Sequence, residues 1–294
     1  MKDFFKVALL TVIVSIIFIG ISIAVPYSQS FREISGDSGL TGIATLLILN
    51  LFCCYTIFYV IRNSTLSGIK TIICLSISLP CVYIFMTQIE TLFFISAFPA
   101  LTKMDVLLIM FSNSVPLVIG ILIGNKIFAR KEKIINYEIE SKTLFSKKGL
   151  IAKIFIIGFL YAIIYFLFGY FVAWQSEDLR IFYSGSPLKD SFIEKLISNF
   201  KEDPFIYLFQ IVRGILFALF ISPIVFLFSN KSKTLLVSII LIYATTALCL
   251  IIPNKLFPDS VRWAHFIEMS TSMLLFAFVT WFVYNKISIK TNNG

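Results

Sequence analysis

Eight runs of about 20 apolar residues follow one another along the chain, near 5–25, 40–61, 71–97, 105–125, 151–174, 205–229, 234–252 and 263–285. Each is long enough to cross the roughly 30 Å hydrocarbon core of a bilayer as a helix. The expected fold class is therefore all-α, a polytopic transmembrane helix bundle of about eight spans. Composition agrees: the chain is 58% hydrophobic and only 14% charged, with a mean hydropathy of +0.92, far from the quarter charged that soluble domains carry. No hydrophilic stretch is long enough for a separate soluble domain, so residues 1–294 read as one integral membrane domain whose first partner is the lipid bilayer.

A net charge of +9 in a soluble chain would point to nucleic acid. In a membrane protein it reports orientation, because Lys and Arg gather on the cytoplasmic side. With the N-terminus placed inside, the cytoplasmic connections hold sixteen Lys and Arg and the outer ones eight, half of the latter in one long acid-rich loop. Both termini are thus expected in the cytoplasm, in a bacterial cytoplasmic membrane, with no nucleic-acid partner. The start Met1-Lys-Asp-Phe-Phe-Lys6, with Ser22-Ile-Ala24 after the first apolar run, raises the question of a cleavable signal. That run is longer than a usual signal core and Pro26 lies just beyond the cut, so the first span is expected to be retained.

Cys53, Cys54, Cys74, Cys81 and Cys249 all fall within apolar runs and make no metal-like spacing. They read as small buried hydrophobes. The single histidine excludes a bis-histidine haem and an H-E-x-x-H zinc helix, and no metal or cofactor is expected.

The polar stretch near 126–150 divides the chain into a first four-helix half, 1–125, and a second, 151–294. A sequence echo crosses the divide. Gln29-Ser30-Phe-Arg32 and Ser35-Gly36 recur as Gln175-Ser176 with Arg180 and Ser184-Gly185. Asn-Lys-Ile ends the fourth span of each half, at Asn125 and Asn285, and Ser112/Ser114 match Ser270/Ser272. Four spans per half would give two parallel repeats about an axis along the membrane normal. The second half adds an insertion near 190–201, with Phe192, Ile193, Leu196, Ile197 and Phe200 on one helical face, as expected of a helix in the outer interface. Trp174 and Trp263 suit an outer aromatic belt and Trp281 the inner one, while Pro80, Pro116 and Pro223 are expected to kink their spans.

Ionisable groups inside these spans point to a site, because a charge there is costly unless partnered. At a rise of about 1.5 Å per residue, Glu268 lies roughly 9 Å below the outer border, Arg213 roughly 13 Å, and Glu90 and Asn113 about 10 to 12 Å. Gln210 neighbours them, Arg180 and Arg262 line the level above, and the cytoplasmic halves of the same spans are apolar. Arg262, His265 and Glu268 recur at i, i+3, i+6, on one helical face that continues to Ser272. The expected site is an outward-facing pocket of Arg213, Arg262, His265, Glu268, Glu90, Asn113, Gln210 and Arg180. Arg213 has two candidate partners, Glu268 and Glu90, and such a pair could equally be a structural lock with Asn113 and Gln210 as interhelical glue.

Three functions fit these residues. The first is binding or transport of a small anionic or protonatable solute, with Arg213, Arg262 and Arg180 attracting an anionic group and Glu268, His265 and Glu90 taking protons. The second is an intramembrane enzyme acting on a lipid-phosphate ligand at the outer leaflet, with Glu268 or His265 as general base. The third is a non-catalytic subunit of a membrane complex. No catalytic residue is assigned.

Overall fold

The structure, a computed structural model, describes residues 2–35, 39–129, 147–228 and 232–286, and contains helices and no strand among them. Eight helical segments are long and apolar enough to cross a membrane. The first is α1 (Lys2–Ala24), followed by the short α2 (Gln29–Ser35) and then the second span, α3 (Gly39–Asn63). The third span is built of α4 (Ile69–Pro80), a π turn Cys81–Phe85 and α5 (Met86–Phe93), and the fourth is α6 (Lys103–Phe128). In the second half, α7 (Lys147–Phe171) is the fifth span, α8 (Glu177–Ser184) and α9 (Phe192–Glu202) are surface helices, and α10 (Phe205–Phe226) is the sixth span. The seventh is α11 (Ser232–Ala247) closed by a 3-10 turn Leu248–Ile251, and the eighth is α12 (Asp259–Lys286). Eight crossings leave α2, α8 and α9 on one face, here the loop face, together with the connections between spans three and four and between seven and eight. Most of the polar stretch between the halves, 130–146, lies outside the described residues.

Local chemistry sets the helix starts on the loop face. Thr102 and Asp105 form a reciprocal capping box that opens α6, Ser191 and Glu194 do the same for α9, and Ser176 caps α8. Gly185 ends α8 in the left-handed region at φ 71°, where glycine carries no Cβ penalty. A helix, α9, is present at the insertion, with Ile193, Ile197 and Phe200 exposed along one face. Of the three prolines, only Pro80 is followed by a change of helix type; the α-helix runs on through Pro116 in α6 and Pro223 in α10. Proline removes one backbone donor, and widening to a π turn is one way a helix absorbs the gap.

Three packing contacts recur in the two sets of four spans: the first span lies on the second and on the fourth, and the third on the fourth, in α1, α3, α4 and α6 and again in α7, α10, α11 and α12. The sets differ in that α3 also packs on α6 in the first, and α10 on α11 in the second. Two seams join the halves, α3 against α11 and α4 against α10. The α7 and α10 backbones approach closely at Gly158 and Gly214, where a Cβ on Gly214 would stand 2.6 Å from the Gly158 carbonyl oxygen and 2.5 Å from Tyr161 Cβ. Small residues let helix backbones meet in this way. That contact fixes the rotation of α10 and, with it, the direction of its neighbour Arg213.

Candidate functional site

Arg213 enters the seam between the halves from α10. Its two terminal nitrogens each donate to one oxygen of Glu90 at 2.7 Å, a bidentate pair from a residue of the second half to a residue of the first. The same guanidinium donates to Gln210 Oε1 at 2.9 Å and to the Met86 carbonyl at 3.2 Å, and stands 5.7 Å from the Tyr161 and Phe209 ring centres. Gln210 and Met86 each lie about one helical turn from the residue they support, so α5 and α10 each contribute two successive turns to this node. The Arg213 side chain is 1% exposed and that of Glu90 29%, so the node is reached through its carboxylate end. Arg213 Nε and Gln210 Nε2 are buried donors without a hydrogen-bond partner among the described residues.

A second node sits at the loop-face end of α12. Tyr183 from α8 and His265 Nε2 share a hydrogen bond of 3.0 Å, and His265 Nδ1 faces Glu268 Oε2 at 3.9 Å. Ser272 donates to the other oxygen of Glu268 at 3.5 Å. The 3.9 Å separation is beyond hydrogen bonding and becomes an ion pair only when the imidazole is protonated. The rings of Tyr183 and Phe257 stand edge-on to the imidazole.

Tyrosines link the nodes. Tyr161 and Tyr165 of α7 lie within electrostatic reach of Arg213, Glu90 and Glu268. Burial first, and then the charges of Glu90 and Glu268, push the Tyr183 phenol above its ordinary range. Two carboxylates, one guanidinium, one imidazole and three phenols therefore share one neighbourhood.

Of the residues anticipated from sequence, the structure joins Arg213 to Glu90 and Gln210, and His265 to Glu268. It answers the question of the arginine's partner with Glu90. Arg180 is turned to the carbonyls of Trp174, Gln175 and Pro187, at 2.8, 3.1 and 2.8 Å. Arg262 is held by the Leu250 carbonyl at 2.9 Å and Asp259 at 2.7 Å. Both guanidinium groups thus staple loop-face connections. Asn113 accepts from Ser112 at 3.4 Å, and Ser112 shares a 2.6 Å hydrogen bond with Tyr27, which sets it beside the first-half connection. Tyr161, Tyr165 and Tyr183 join the site only in the structure. The hydrophobic class of the composition includes tyrosine, and only the i, i+4 recurrence of Tyr161 and Tyr165 offers a sequence signal.

No group of three or more His, Cys, Asp or Glu side chains suited to a metal ion occurs among the described residues. Compared with known proteins, the chain matches no family model, no curated sequence and no solved structure.

Proposed function

We propose that the chain binds or transports a small anionic or protonatable solute in an intramembrane pocket formed by the two nodes, with the loop face outside the cell and both termini in the cytoplasm. One observation carries the reading: charged and hydrogen-bonding groups from α5, α7, α10 and α12, in spans of high mean hydropathy, and from the surface helix α8 lie within hydrogen-bonding or electrostatic reach of one another. An ionisable residue inside a membrane span is a functional-site hypothesis by default. Their roles follow from their contacts. Glu268, loosely held by His265 and Ser272, takes and returns a proton, with Tyr183 and His265 as its connection to the loop face. Arg213 receives an anionic group when Glu90 gives way to it. Arg180 and Arg262 form the mouth, their charges adding to the attraction while their hydrogen bonds hold the connections in place. Gln210 supplies hydrogen bonds beside Arg213, and Asn113 borders the first-half side.

A second reading draws on the order Tyr183, His265, Glu268. It resembles hydroxyl, base and orienting carboxylate, and would make the chain an enzyme acting on a lipid or lipid-linked phosphate. The distance of 3.9 Å between His265 and Glu268 and the absence of a hydrogen bond between them favour proton transfer on binding over a preassembled nucleophile.

The test is a thermal-shift titration of the purified protein in detergent with small carboxylates and with inorganic phosphate. A ligand at 100 times its Kd stabilises by about 2.7 kcal/mol. The wild type is expected to show a saturable rise in melting midpoint with at least one of these anions, and Glu268→Gln, stable on its own, to lose it. A response unchanged in Glu268→Gln would remove the carboxylate from the site, and no response to any anion would end the anion reading.

A further inference from the structure

Buried positions in the two halves fall in matching register. Leu75, Ser78, Leu79, Val82, Tyr83 and Met86 are buried in the third span, and at one constant offset so are Leu235, Ser238, Ile239, Ile242, Tyr243 and Thr246 in the seventh. The same offset carries buried Ser112, Gly120 and Gly124 of α6 onto buried Ser272, Thr280 and Tyr284 of α12, and superimposes the two Asn-Lys-Ile triplets. A second offset takes Leu46, Asn50, Ile57 and Ile61 of α3 onto Gln210, Gly214, Ile221 and Val225 of α10, all buried.

Hydrogen bonds repeat as well. Ser28 caps α2 and Ser176 caps α8, and the backbone N–H of the arginine one turn on, Arg32 or Arg180, donates back to that serine's carbonyl. Each guanidinium then reaches the carbonyls at the end of the preceding span, Val25 and Tyr27 or Trp174 and Gln175. The seams obey the same exchange, since swapping the halves turns α3 on α11 into α10 on α4.

We infer that the chain consists of two quasi-equivalent four-span halves, and that the Arg213–Glu90 pair is a functional latch on one of their two matching seams. On the other seam the register gives Leu49 in place of Arg213 and Leu46 in place of Gln210. The place of Glu90 falls on Leu250, in the 3-10 turn Leu248–Ile251, which packs on α3 as α5 packs on α10. The same seam thus carries an ion pair with a buried guanidinium at one place and leucines at the matching one. A contact that folding required would be present on both. What the charged seam adds is an interaction that polar groups can open: Glu90 is the accessible partner, and behind it lie the buried Arg213 and the wholly buried Gln210. The inference concerns the seam alone and stands whichever solute the pocket takes.

The test uses the full-length protein in lipid nanodiscs. Glu90→Leu with Arg213→Leu copies the leucine seam, and is expected to melt within about 3 °C of wild type, while Glu90→Leu alone, which strands a buried guanidinium, melts far lower. In parallel, a cysteine is placed at Gln210 and its reaction with a bulky polar thiol reagent is compared with that of the chain lacking it. Neutralising the latch by Glu90→Gln is expected to speed that labelling at least about tenfold, the loss of one charge-assisted contact. A double leucine variant that loses as much stability as the single one, or that does not fold, would make the pair a requirement of the fold and overturn the inference. Folded Glu90→Gln protein that labels no faster than wild type would overturn the latch. Should Glu90→Gln fail to fold, the double variant decides.

Discussion

Tyr183 is the point where the loop face touches the buried charges, because its hydroxyl meets His265 Nε2 at 3.0 Å while Glu90 and Glu268 lie within electrostatic reach. Partial burial and those two carboxylates push its pKa above the ordinary phenol value of about 10. A raised phenol pKa means that the folded state holds the proton longer than the unfolded chain. Its contribution to stability is therefore complete below about pH 10 and is lost as pH rises through the folded value. Tyr183→Phe is expected to cost about 1 kcal/mol at neutral pH, one hydrogen bond, and to flatten the alkaline limb of the stability profile relative to wild type. Melting midpoints measured from pH 7 to pH 11 check both; parallel profiles would show that Tyr183 does not titrate with folding.

At the scale of elements, the α7–α10 crossing decides where the arginine points. Gly214→Ala would put a Cβ 2.6 Å from the Gly158 carbonyl oxygen and 2.8 Å from Gly158 Cα, and backbone atoms cannot turn aside as a flexible side chain does. The expected loss is about 1 to 3 kcal/mol, with anion response weakened as α10 backs away from α7. Gly169→Ala, in the same α7 and with nothing within 4 Å of its Cβ, is the control and is expected to match or exceed wild-type stability. Equal melting of the two variants would deny the crossing its role. Sequence conveyed these elements unevenly. Span existence was legible because 20-residue apolar runs have few other readings, and the interfacial helix because Ile193, Ile197 and Phe200 keep a 3.6-residue period. The α2 and α8 helices were not, since seven- and eight-residue helices carry too few turns for a period to show. The site was half legible. Depth along a helix follows from counting, which placed Arg213 and Glu90 together, whereas rotation and the neighbour across the seam depend on Gly158 meeting Gly214, and that reads as two ordinary glycines.

For the whole molecule, the orientation of the loop face determines which compartment the proposed pocket would serve. Sixteen basic residues against eight favour cytoplasmic termini. The difference matters chemically, because the route from Tyr183 through His265 to Glu268 opens on whichever side holds α8. Single cysteines introduced at Ser186 and Lys255, on the loop face, are expected to react in intact cells with an impermeant thiol reagent. Ones at Ser64 and Ser232, where the Thr65–Leu227 backbone hydrogen bond ties the halves together at the opposite face, are expected to react only after the cells are opened. Background from Cys249, which is exposed toward the loop face, is removed with Cys249→Ser. If Ser64 and Ser232 label first, the loop face is cytoplasmic and the proposed pocket opens to that side instead. The latch at Arg213 and Glu90 would survive that reversal, because it depends on how one half meets the other and not on which side of the membrane either faces.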